Sequence, residues 1–81
     1  MNKTIERRIG SNVRILRENA GFTQDLLAAK LQLRGCDITR SAVAKIEVGQ
    51  VRGDGQRHLY PDELILIKEI LNVTFDKLLE Y

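Results

Sequence analysis

Eighty-one residues, 43% hydrophobic and 30% charged, with a formal net charge of +2, bound a small globular domain and exclude a disordered chain or a bilayer-spanning segment. Aromatic residues are few and Trp is absent, so the core must be aliphatic; one cysteine, Cys36, and one histidine, His58, supply neither an intramolecular disulfide nor a metal-ligand set. Residues 1–34 hold seven Lys/Arg against three Asp/Glu, residues 35–60 four against three, and residues 61–81 two against five. That polarity suits a domain with one face toward a polyanion, although an ordinary scatter of solvated charge gives it too.

A domain of this size buries about 60% of its unfolded surface, which leaves a thin stability margin. The N-terminus carries Glu6 and several Arg and lacks a signal-peptide apolar region, so a cytoplasmic location is expected.

Between residues 4 and 20, Ile5, Ile9, Val13, Leu16 and Ala20 recur at steps of three and four, which predicts an amphipathic helix. Thr4 is its expected N-cap, with Glu6 in the first turn, where the helix dipole favours an anion. Gly10 costs this helix about 1 kcal/mol relative to Ala. It points either to close packing at that position or to an ordered helix that starts near it. Gly21 is the expected left-handed residue at the C-terminus.

Thr23 caps the second predicted helix, over 24–31, with Leu26, Leu27 and Leu31 as its buried stripe and Ala28 and Ala29 keeping it slim. Residues 32–37 form a turn punctuated by Gly35 and Asp37. The third helix falls within 38–47, with Thr39 as N-cap. Val43 and Ile46 lie on one face, and Arg40, Ser41, Ala44 and Lys45 on the other. That outer face is small in the middle and cationic or hydrogen-bonding at its edges, a shape and chemistry that the DNA major groove accepts.

Residues 50–60 are the least regular stretch, a short hairpin or a plain loop around Gly53 and Gly55. Gly49-Gln50 recurs as Gly55-Gln56, so residues 51–56 read as an insertion; the Arg52-Gly53-Asp54 triplet inside it is taken as coincidence. Pro61 fits the first turn of a fourth helix beside Asp62 and Glu63, with Leu64, Ile65, Ile67, Ile70 and Leu71 as apolar positions. Thr74 caps a last short helix in which Phe75, Leu78 and Leu79 are expected to pack inward. The expected fold is a single all-α domain of five helices over 1–81.

Taken together, Leu16-Arg17, Gly21-Phe22-Thr23-Gln24, Leu27-Ala28, Ile38-Thr39-Arg40-Ser41, Ile46-Glu47 and residues 71–78 resemble the lambda-repressor-like helix-turn-helix family, also described as Cro-type or xenobiotic-response-element regulators. The resemblance runs over roughly residues 9–79. It implies a five-helix DNA-binding domain with its helix-turn-helix at about 23–47 and an inserted loop at about 50–60. It implies that Thr23 and Gln24 face backbone phosphate, a role that helix N-termini also favour physically. It further implies that Arg40, Ser41, Ala44 and Lys45 read bases, with Thr39 and Ala42 nearer phosphates or thymine methyls. Arg17 and Glu47 are implied to form a structural ion pair, costly to break if buried and worth little if exposed.

Two departures from the family stand out. The turn over 32–38 is some five residues longer than usual, and the connector after Glu47 is long as well. Arg52, Arg57 and His58 on that connector reach phosphates or a minor groove, or are solvated loop charges. No catalytic constellation appears, so neither an enzyme nor a cofactor is expected.

The implied function is a sequence-specific double-stranded DNA-binding transcriptional regulator, most simply a repressor acting as a homodimer. Candidate dimer contacts are Phe75, Leu78, Leu79 and Tyr81, and then the 50–60 loop. The rival reading is a protein-interaction module on the same fold, such as the antitoxin of a toxin–antitoxin pair.

Overall fold

Helical periodicity in the sequence becomes five α-helices among the residues described by the computed structural model, 3–49 and 59–80. They are α1 (Lys3–Asn19), α2 (Gln24–Leu33), α3 (Arg40–Glu47), α4 (Pro61–Leu71) and α5 (Phe75–Leu79). There is no strand among the described residues, and no helix there is long and apolar enough to cross a membrane.

At 1.5 Å per residue α1 is about 26 Å long, close to the longest dimension of the molecule, 27 Å. It therefore acts as the spine, contacting α3, α4 and α5. Ile9 and Val13 in its middle are fully buried, whereas Ile5 and Ala20 are exposed. Both belong to the predicted stripe, but they sit at the ends of a helix that spans the whole domain. Thr4 lies inside the first turn and does not cap it, because α1 already begins at Lys3. Buried Glu6 shares the inner face and accepts the Leu59 backbone N–H at 3.3 Å.

The second helix runs two residues beyond the predicted end, to Leu33. The stop signal is Gly35, at φ +84°, a left-handed conformation that costs a glycine nothing. The Gly35 N–H donates to Gln32 O, and the Cys36 N–H donates to Leu31 O, each at 3.0 Å. These two bonds close the helix in a Schellman motif and satisfy carbonyls left over at its end. The buried face of α2 is Leu27, Ala28 and Leu31. Leu26, expected inside, is exposed, and Ala28 is a core residue as well as a slim one.

Ile67 and Leu71 carry the inner face of α4, while Ile65 points outward. Pro61 occupies the first turn as expected, and the Glu63 carboxylate accepts the Tyr60 backbone N–H at 3.0 Å. Asn72 adopts the left-handed conformation and ends the helix. Helix α5 has five residues, too few turns to bury more than one side of itself. Leu78 is wholly buried, whereas Phe75 and Leu79, expected inside, are exposed. The Lys68 ammonium lies 5.3 Å from the centre of the Phe75 ring.

Candidate nucleic-acid interface

Helix α3 is eight residues long and too short to hold itself in water, so its position depends on what grips it. Its start is set by Thr39, whose Oγ1 accepts the Ala42 N–H at 3.1 Å. Thr23 does the same for α2 through the Leu26 N–H, also at 3.1 Å. Val43 and Ile46 face inward. Gly10 of α1 meets the backbone of α3 so closely that a Cβ there would overlap the Ile46 carbonyl. Close packing therefore explains this mid-helix glycine, and α1 is ordered on both sides of it.

The inner face of α3 ends in a charge. Arg17 Nε donates to Glu47 Oε2 at 2.7 Å, and the Arg17 Nη2 donates to Glu47 Oε1 at 3.1 Å. The Glu47 side chain is 1% exposed and that of Arg17 10%, so this bidentate pair is buried. Arg17 also donates through Nη1 to the Phe22 carbonyl at 2.7 Å, tying the α1–α2 turn to the same cluster. The hydrogen bond to Glu47 outweighs desolvation and raises the Arg17 pKa, so the guanidinium stays charged. Gln24, at the start of α2, completes the group: its Nε2 donates to Glu47 Oε1 at 3.1 Å. That bond commits one amide hydrogen, so at most one remains for an outside acceptor.

Between α2 and α3 the long turn is internally braced. Gln32 Nε2 donates to the Ile38 carbonyl at 2.9 Å, and the Ile38 N–H donates to Cys36 O at 2.9 Å. Ile38 itself is buried in the core beside Val43. The extra residues thus divide between a longer α2 and a turn with fixed ends.

On the outer side, Arg40 and Ser41 are exposed, and Ala42, Ala44 and Lys45 are half-buried. Val48, just past the helix, is 65% exposed. The start of α3 lies against the start of α2, where Arg40 Nε is 3.7 Å from Asp25 Oδ1. Thr23, Gln24, Thr39, Arg40 and Ser41 therefore gather at one end of the α2–α3 pair, with Ala44 and Lys45 further along α3. Arg52, Arg57, His58 and Tyr81 lie outside the described residues. Asp25 and Gln32 were not singled out by the sequence pattern. Nothing local distinguishes them: Arg40 is brought near Asp25 by the packing of α2 on α3, and the Ile38 carbonyl is brought near Gln32 by the path of the turn. Among the described residues there is no cluster of three or more His, Cys, Asp or Glu suited to a metal ion.

This surface offers guanidinium, ammonium, hydroxyl and small apolar groups on a braced helix, beside the capped starts of two helices. No protein-family model, curated protein or solved structure matches the chain.

Proposed function

We propose that the chain is a sequence-specific double-stranded DNA-binding transcriptional regulator, most simply a repressor, built on a lambda-repressor-like helix-turn-helix formed by α2 and α3. The observation that carries this reading is the division of α3 into two faces. Val43, Ile46 and Glu47 are locked into the domain, while Arg40, Ser41, Ala44 and Lys45 occupy the other side. The major groove admits an α-helix, and Arg or Lys donors matched to guanine O6/N7 are its strongest single reading contact. Gln24 and the start of α2 would hold the phosphate backbone.

A module this small covers few base pairs, so a C2 dimer on half-sites about 34 Å apart is part of the proposal. Phe75 and Leu79 are exposed and available for its interface; Leu78 is buried and is not. A second reading, a protein-interaction module such as an antitoxin, draws on the exposed apolar side chains Leu33 (88%) and Val48 (65%) near the two ends of the turn and of α3.

The deciding experiment is selection of binding sites from random duplex DNA, followed by salt titration on the selected site. Specific binding should weaken by about 0.9 in log K per phosphate contact for each decade of salt. Arg40→Ala should relax base preference, and Gln24→Ala should weaken all sequences alike. Failure to enrich any sequence over bulk DNA would favour the interaction module.

A further inference from the structure

We propose that Asp25 is a specificity-determining residue that orients Arg40 for guanine recognition; this rests on the DNA-binding reading above. Asp25 stands in the first turn of α2 and Arg40 at the first position of α3. Their side chains meet across the two helix starts, with Arg40 Nε 3.7 Å from Asp25 Oδ1. Both are largely exposed, at 76% and 68% for Asp25 and Arg40 respectively, so the pair adds little to stability.

Its value lies in geometry. A guanidinium presents five N–H donors in a rigid plane. An anion on the Nε side leaves the far edge of that plane, formed by the two terminal nitrogens, for a bidentate partner. Guanine O6 and N7 supply a matching pair of acceptors in the major groove. A free Arg40 would instead sample many rotamers and reach phosphates on either side. The exposed carboxylate also repels phosphate, so it penalises binding in any register where Arg40 finds no base. Asp25 therefore lowers non-specific affinity and sharpens preference with one charge.

The test uses the full chain and the site enriched by wild-type protein, with each base pair of the half-site varied in turn. Asp25→Asn should raise affinity for bulk DNA and lower discrimination at a single G·C pair by about threefold, the scale of an exposed ion pair. Asp25→Glu should restore part of that discrimination. In an Arg40→Ala background, Asp25→Asn should leave base preference unchanged, because the group it orients is gone. A purely structural acid at the helix start would change thermal stability without touching preference at one base pair. If wild type discriminates through Arg40 and Asp25→Asn keeps full discrimination, this inference fails and the regulator reading stands. If wild type discriminates among no sequences, the regulator reading fails and takes the inference with it.

Discussion

Helix α1 is held on two flanks by different means. Against α3, backbone meets backbone at Gly10, and a buried bidentate ion pair closes the contact at Glu47. Against α5, one wholly buried side chain, Leu78, and one amide hold the contact. That amide is Asn12, whose Nδ2 donates to the Leu78 carbonyl at 2.8 Å and the Glu80 carbonyl at 2.6 Å. Moving α3 would strand buried charges, whereas releasing α5 would uncover Leu78 and the apolar core it packs against. The buried charges thus sit on the flank that carries Arg40, Ser41 and Lys45, and the five-residue α5 is expected to open first.

Removing the charge from the rigid flank should have the largest effect. Glu47→Ala leaves Arg17 without its main partner and releases Gln24, at a cost of about 3 kcal/mol. A chain of this length has roughly 4–12 kcal/mol in total, so urea denaturation should show a large fall in midpoint or an unfolded variant. A change below about 1 kcal/mol would mean that the pair behaves like an exposed one.

Next comes the close approach of α1 and α3. Gly10→Ala improves helix propensity by about 1 kcal/mol, but the added methyl overlaps the Ile46 carbonyl, a backbone atom that cannot swing away. Separating the two helices should outweigh the gain and leave a net loss of about 2 kcal/mol. A thermal melt that rises with this substitution would show that the helices part at no cost.

The smallest effect should fall on the other flank. Asn12→Ala removes two hydrogen bonds at the end of α5, one of them exposed, and should cost about 1 kcal/mol. Amide hydrogen exchange should speed up in α5 while protection in α3 stays as it was. Equal loss of protection in both helices would erase the contrast between the flanks.

Most of this architecture can be read locally. Thr23, Thr39 and Thr74 are followed by helices whose third residue on donates back to the threonine, and Gly21 and Asn72 mark helix stops. Such signals need only a few neighbours in sequence. The periodicity ends α2 too early because Leu31 completes the apolar stripe, while the hydrogen-bonded stop forms four residues later in the chain, at Gly35. Periodicity also placed Ile5, Leu26, Phe75 and Leu79 inside; each lies near a helix end, where a correct stripe runs out of partners. The pairing of Arg17 with Glu47 came through family resemblance and not through any property of those two residues alone. Glu6 with Leu59 and Asn12 with α5 were illegible, since their partners stand 53 to 68 residues away. A buried glutamate looks the same in sequence as a solvated one.

The brace between Gln32 and the Ile38 carbonyl separates two properties that a short turn would fuse. Ile38 is anchored in the core and Thr39 starts α3 afresh, so the placement of α3 is set at the turn's two ends. The contour between them is exposed at Arg34, Gly35 and Asp37, yet Gly35 is held by its left-handed backbone and Arg34 reaches Glu69 at 3.0 Å. The orientation of α3 thus rests on Ile38 and the Thr39 cap, at the far end of the turn, and not on how short that turn is.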